Sequence, residues 1–320
     1  MNLLIIGGTR LLGRRIVEIF IEYSNYDITV LSRRSSMYKD KCRFIQKEKS
    51  KGLSELDGEW FDFIIDFIAY DDAAVKEVVD KVRFGKYIFI SSCWMTKLNS
   101  KIRIDEFIYN IDEHIYQSLP TVTCQYLLGK RLAENYLNST LERGRFHIIR
   151  LPIFWGEGDH SKRLEFYVSR LLDDGPVILV NNGSNCCQIS NVSDLAIHIY
   201  RFLKEGKLVA QPIVEGLPSG KENLSSILAI ISKAVGSTSK IISVSEEELQ
   251  KGLPEYLEKE PLWRENEIMV SENNIYKILD SKNESLHRWL NKLSQYEALK
   301  KLVPDILRPR EIEFLKQFPG

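Results

Sequence analysis

The chain has 320 residues, 44% hydrophobic and 28% charged, with 44 basic and 44 acidic side chains. Balanced charge leaves no basic excess for nucleic acid as a bulk electrostatic partner, and no stretch approaches the roughly 20 apolar residues of a membrane helix. The five cysteines (Cys42, Cys93, Cys124, Cys186, Cys187) include no CxxC pair, so neither a metal cage nor a disulfide framework is expected, and a reducing cytoplasm fits. The apolar run Leu3 to Ile6 ends at glycines and is too short for a signal peptide.

Apolar runs and helical patterns alternate through the first half. Strands are predicted at Asn2–Ile6, Asp27–Leu31, Arg43–Gln46, Phe63–Phe67, Tyr87–Ser91 and His147–Leu151. A helix pattern follows the first strand through Tyr23, and a long helix spans Gln125–Thr140. The strand runs are continuous, as in strands covered on both faces, and their alternation with helices implies a parallel, doubly wound α/β sheet. The second half reads as helices at Arg163–Leu172, Val192–Phe202, Asn223–Ala234 and Glu246–Lys251, with short strands near Val177–Val180 and Ile213. The expected division is a dinucleotide-binding domain over 1–152, joined by part of the segment to about 215, and an interleaved, mostly helical substrate lobe over 153–320. Trp263, Tyr276, Trp289, Tyr296 and Phe314 give the tail an aromatic core.

Strand one runs into Gly7-Gly8-Thr9-Arg10-Leu11-Leu12-Gly13 and then a helix. Gly7 suits a tight turn, and Gly13 lets helix and strand pack closely. The free N–H groups of the helix start meet a pyrophosphate, which makes this a dinucleotide-binding turn. At the end of strand two, where an NAD site places a carboxylate for the ribose hydroxyls, stands Ser32, followed by Arg33 and Arg34. Guanidinium groups at Arg10 and Arg33 suit a 2′-phosphate, so NADP(H) is expected ahead of NAD(H).

Tyr126 and Lys130 lie four apart on one helix face. A nearby ammonium lowers the cost of a phenolate, which then exchanges protons near neutral pH. Ser91 and Ser92 end the fifth strand, at the sheet edge where doubly wound folds bind ligands.

As a set, GGTRLLG at 7–13, DFIIDFIAY at 62–70, ISS at 90–92, YLLGK at 126–130, Arg150-Leu151-Pro152 and VSDLA at 192–196 resemble the extended short-chain dehydrogenase/reductase superfamily, in its NAD-dependent epimerase/dehydratase branch. The GGTR turn is similar to an atypical subgroup that includes chloroplast RNA-binding relatives. The resemblance covers about residues 1–240. It implies Tyr126 as acid/base, Lys130 as the ribose-binding residue that lowers the phenol's pKa, and Ser92 as the hydroxyl that orients the carbonyl. Ala69 and Tyr70 would line the adenosine–ribose path, and Pro152 would abut the nicotinamide. The implied reaction moves hydride between nicotinamide C4 and a secondary alcohol or ketone of a small polyhydroxylated, sugar or nucleotide-sugar-like substrate. Reduction, epimerisation and dehydration all remain open, and no metal is implied. The resemblance also implies a homodimer through the Tyr126–Lys130 helix, where Leu127, Leu128 and Leu132 serve equally well as internal core.

Two positions depart from the branch. Where its epimerases often carry a diphosphate-binding arginine, seven residues before Asp194, this chain has Cys187. After the serines comes Cys93-Trp94-Met95-Thr96 rather than a small residue and a tyrosine, so Trp94 becomes a substrate-contact candidate. His160 and Arg163, after the sixth strand, are candidates for a proton shuttle and an anion site. The competing reading there is loop polarity with a helix start at Ser161. Glu113 and His114, in the insertion before Tyr126, are weaker candidates for covering a substrate. The alternative function is a regulatory or RNA-binding scaffold of the same fold. Retention of Ser92, Tyr126 and Lys130 in register argues against it.

Overall fold

A computed structural model of the chain describes residues 1–35, 38–92, 121–151, 153–184, 186–204, 213–215, 221–262 and 307–318. Contacts divide it into two units. One holds Met1–Phe154 and Val192–Pro218 with Val270–Lys277, and the other holds Trp155–Asn191, Ser219–Met269 and Ile278–Gly320.

The first unit is built on β1 (Asn2–Ile6), β2 (Asp27–Ser32), β3 (Arg43–Gln46), β4 (Trp60–Asp66), β5 (Arg83–Ser92), β6 (Phe146–Leu151) and β10 (Ile213–Glu215). They form one sheet in the order β10-β6-β5-β4-β1-β2-β3, every pairing parallel. The order in which successive strands are laid down reverses between β1 and β4, which is the switch point of a doubly wound fold. Leu3, Leu4, Ile5 and Ile6 are all 0% exposed, which explains why this strand shows no polar alternation.

Around the sheet lie α1 (Leu11–Tyr23), α2 (Lys49–Glu55), α3 (Asp72–Lys81), α4 (Thr121–Thr140) and α6 (Val192–Lys204). Phe20 of α1 meets Tyr200 of α6 edge to face, 5.1 Å between ring centres. Beyond the sheet, α3 and α4 bury Val75, Val78, Ala133 and Leu137 against Tyr87, Phe89 and Ile148. Sequence reading missed α2 and α3. The first is short and carries Gly52, and the second buries only Val75 and Val78, too narrow a stripe for a clear helical period. The Asp71 side chain caps α3 by accepting from the Ala74 N–H at 2.7 Å.

His147 in β6 is buried under Phe202 of α6, ring centres 5.3 Å apart. Neither ring nitrogen has a hydrogen-bond partner among the described residues. Burial, with the Lys86 charge as a second cause, lowers its pKa to about 4. An unfolded histidine titrates near 6.5, so between these values the unfolded chain takes up a proton that the folded chain refuses. Stability therefore falls as pH drops through that window, by about 2 kcal/mol between pH 7 and pH 5. Urea midpoints at the two pH values measure this. An equally steep fall in His147→Phe would show that another group is responsible.

The second unit contains β8 (Val177–Val180), which pairs in parallel with β12 (Ile241–Val244), and β9 (Cys186–Asn191), which pairs antiparallel with β11 (Lys221–Asn223). Its helices are α5 (Arg163–Leu172), α7 (Leu224–Val235), α8 (Glu246–Gly252), α9 (Pro254–Lys259) and α10 (Leu307–Leu315). β7 (Ile153–Trp155) lies where the division falls. A capping box between Ser245 and Glu248 starts α8. The α10 helix is docked by charge. Arg170 of α5 grips Glu311 in a buried pair, with Nε donating to Oε2 at 2.9 Å, and Arg308 bridges Asp173 at 2.6 Å and Glu311 at 3.1 Å. Phe314 lies in this helix, whereas Trp263, Tyr276, Trp289 and Tyr296 lie outside the described residues.

Among the described residues, no helix is long and apolar enough to cross a membrane.

Candidate active site

The glycine turn connects β1 to α1. Gly7 adopts φ +92°, a region that L side chains rarely enter, and its N–H donates to the Leu31 carbonyl of β2 at 2.9 Å. A Cβ on Gly13 would stand 2.8 Å from the Gly7 carbonyl oxygen and 3.0 Å from Gly8 Cα, so only glycine lets α1 approach the turn this closely. Arg10 occupies the N-cap position in extended conformation, no side chain caps the helix, and no acidic residue sits in its first turn. The helix start thus keeps amide donors and the positive end of its dipole for an anion. Leu11 and Leu12 are buried behind it.

Ser32 is buried, and its hydroxyl shares a 2.7 Å hydrogen bond with Thr9 Oγ1. The residue predicted to replace an NAD-type carboxylate therefore ties the glycine turn to the end of β2. Arg10, Arg33 and Arg34 are exposed at this edge.

Lys130 of α4 is only 2% exposed. Its ammonium donates to the carbonyls of Ala69 at 2.8 Å and Ile90 at 2.7 Å. It also stands 4.6 Å from the ring centre of Phe89, 5.2 Å from Tyr70 and 6.0 Å from Tyr126. Burial lowers its pKa to about 8, against the opposing pull of Asp66 and Glu134, so the group is still mostly charged at neutral pH. An ammonium has three donors, and two of them are taken by these carbonyls. Tyr126 is half-buried, its ring 6.3 Å from that of Tyr70, which is 54% exposed. The fold thus gathers Ala69, Tyr70, Tyr126 and Lys130. Ser92 is buried at the end of β5, in register with Leu151, two residues beyond the carbonyl that accepts from Lys130.

Gly129 went unnoticed in the motif. A Cβ there would lie 2.1 Å from the Tyr70 carbonyl oxygen, so this glycine sets how closely α4 approaches the turn after β4. Asp66 was missed as well. It is 0% exposed, at the end of β4 beneath that turn. The role of Gly129 depends on a contact far along the chain, and Asp66 joins a local turn to partners as distant as Tyr87.

In the second unit, Arg163 is paired with Asp159, at 3.2 Å to each carboxylate oxygen, and His160 is exposed. The helix predicted at Arg163–Leu172 has those bounds, and the start at Ser161 offered by the competing reading is not found. The Asp159 carboxylate takes the Ser161 N–H, and Lys162 in left-handed conformation precedes the first turn. Glu165, not singled out by sequence, is raised to about 7 by burial and, less strongly, by the Asp159 charge. Trp94, Glu113, His114 and Pro152 lie outside the described residues.

Neither a protein-family model nor a curated protein matches the chain. Solved structures do. A UDP-N-acetylglucosamine 4-epimerase from Methanobrevibacter ruminantium M1, in complex with UDP-N-acetylmuramic acid, superposes with a TM-score of 0.65 at 16% identity, covering 92% of this chain and 98% of that one. A UDP-glucuronic acid 4-epimerase from Bacillus cereus, in complex with NAD, gives 0.61 at 16% identity, covering 94% and 97%. A dTDP-glucose 4,6-dehydratase from Bacillus anthracis str. Ames, in complex with NAD, gives 0.58 at 14% identity, covering 93% and 96%. With its 3-2-1-4-5-6 strand order and its glycine turn at the switch point, the chain has the fold of these epimerases and dehydratases.

Proposed function

We propose that the protein is a nicotinamide-dependent oxidoreductase or epimerase acting on a secondary alcohol or ketone of a small polyhydroxylated, nucleotide-sugar-like molecule. The observation that carries this reading is the Lys130 ammonium, held by two backbone carbonyls and faced by the Tyr126 ring. The ligands named for the structural neighbours, NAD and UDP-sugars, support it.

The residues fit a dinucleotide. Gly7, Gly8, Thr9 and the amides of Leu11, Leu12 and Gly13 would take the pyrophosphate, since the α1 N-terminus is uncapped and the Gly13 cradle leaves no room for a side chain. Ala69 and Tyr70 would border the ribose, and Lys130 would offer it the remaining donor. When bound, the nicotinamide supplies C4 as acceptor or donor of the hydride on the substrate carbon. Tyr126 exchanges the proton with the substrate oxygen, and Ser92 donates to that oxygen and orients it. The Lys130 charge makes the phenolate of Tyr126 accessible. Within the second unit, Arg163, paired with Asp159, is the candidate for an anion and His160 for a proton shuttle. Two copies would pair through α4, where Leu127 is buried but Leu132 is 36% exposed.

The finer assignment is NADP(H). It rests on exposed Arg10, Arg33 and Arg34 and on a β2 end without a carboxylate. Fluorescence titration with NADPH and NADH tests both levels. Saturable binding with NADPH favoured is expected, and Arg33→Ala should narrow the preference. Equal affinities overturn the NADP assignment, and binding of neither nucleotide overturns the function.

A further inference from the structure

The Asp66 side chain accepts four hydrogen bonds beside the site. Its Oδ1 accepts from the backbone N–H groups of Ile68 at 2.9 Å and Ala69 at 3.0 Å. Its Oδ2 accepts from the Tyr87 hydroxyl at 2.7 Å and from Lys49 Nζ at 2.8 Å. Lys49 also donates to the Ala74 carbonyl at 2.9 Å, so α2, β4, β5 and the start of α3 converge on one carboxylate. The turn folded around Oδ1 presents the Ala69 carbonyl to Lys130 and the Tyr70 carbonyl to Gly129. A buried carboxylate with this many donors is costly to assemble. A hydrophobic residue would fill the space without needing Lys49.

We propose that Asp66 is a positioning residue: clamped by Lys49 and Tyr87, it builds the turn Phe67–Tyr70 and thereby sets where the Lys130 ammonium stands. This deepens the function proposed above and rests on it. The same geometry gives Asp66 an electrostatic part, because its negative charge helps to keep Lys130 charged in a buried place, whereas Lys49 opposes it. Other ionisable groups around Lys130 among the described residues include Glu134 and Tyr126 on α4 and Tyr70 on the turn, while Tyr87 of β5 faces Asp66. Arg150 of β6 in turn holds Glu134 at 3.0 Å.

The test follows the Lys130 ammonium itself, by 13Cε-lysine NMR titration of the full chain without cofactor, with Lys130→Met to assign its signal. The midpoint of the unaltered protein is expected near 8. Asp66→Asn preserves shape and the amide contacts but removes the charge, and should move the midpoint down by about one pH unit. Lys49→Met should move it up. Displacements of opposite sign support the inference, because a merely structural Asp66 would lower stability and leave the lysine midpoint where it was. Unmoved midpoints overturn it. If Asp66→Asn does not fold, Lys49→Met decides: an upward shift supports the inference and no shift overturns it. A parallel NADPH titration of the unaltered protein keeps the two readings apart. Absence of binding there and in the matching NADH titration overturns the function alone, and the NMR midpoints still decide the role of Asp66.

Discussion

Tyr126→Phe is expected to lower turnover by about 10²–10⁴-fold while NADPH affinity stays within a few-fold. The substitution removes one oxygen from a half-buried ring and leaves in place the 6.3 Å packing on Tyr70. Lys130 keeps both carbonyl acceptors, and the glycine turn is untouched. What disappears is the group that exchanges a proton with the substrate oxygen as hydride moves, so the loss belongs in kcat and not in cofactor binding. The measurement is steady-state turnover on whichever UDP- or dTDP-linked hexose the unaltered protein converts. Retention of full turnover would sink the mechanism. A parallel loss of NADPH binding would show instead that the phenol serves the cofactor.

Glu134→Leu is expected to destabilise the first unit by about 3–5 kcal/mol. Glu134 and Arg150 are both 0% exposed, and Arg150 Nε donates to Glu134 Oε1 at 3.0 Å while a second guanidinium nitrogen reaches Oε2. Removing the carboxylate leaves the guanidinium charge buried without its counter-ion. Replacing both residues, as Glu134→Leu with Arg150→Met, removes that charge and should recover most of the loss, because a well-packed apolar pair is often no worse than a buried ion pair. Urea unfolding of the two variants measures the difference. A single variant within 1 kcal/mol of the unaltered protein would refute the argument. The pair joins α4 to β6, and Glu134 lies one turn beyond Lys130. Its loss is therefore also expected to weaken NADPH binding through displacement of α4.

Much of the first unit was legible because its signals are local. Continuous apolar runs mark strands buried on both faces, and most predicted ends fall within a few residues of those observed. The glycine turn was equally readable: a positive φ at Gly7 and a close approach at Gly13 are demands on the chain within seven residues. Tyr126 and Lys130 share a helix face by periodicity alone. The second unit was read less completely. Its long helices α5 and α7 were recognisable. The partnership of β8 with β12 joins segments about sixty residues apart and carries no pairing signal in either.

What the sequence by itself determined is the class of the fold, the glycine turn between β1 and α1 and the placing of Tyr126 and Lys130 on one helix face, because helical period, strand burial and glycine backbone freedom all act over a few residues. Tertiary structure alone decided how that pair is held. Lys130 meets carbonyls 61 and 40 positions away, and Asp66 meets Lys49 and Tyr87 at separations of 17 and 21. Gly129 illustrates the difference most sharply. Glycine is a poor helix residue and reads as a flaw in YLLGK. It becomes a requirement only once the sheet brings the Tyr70 carbonyl to within 2.1 Å of where its side chain would begin. Contacts of that kind are set by the packing of α4 on the sheet, which no local period encodes.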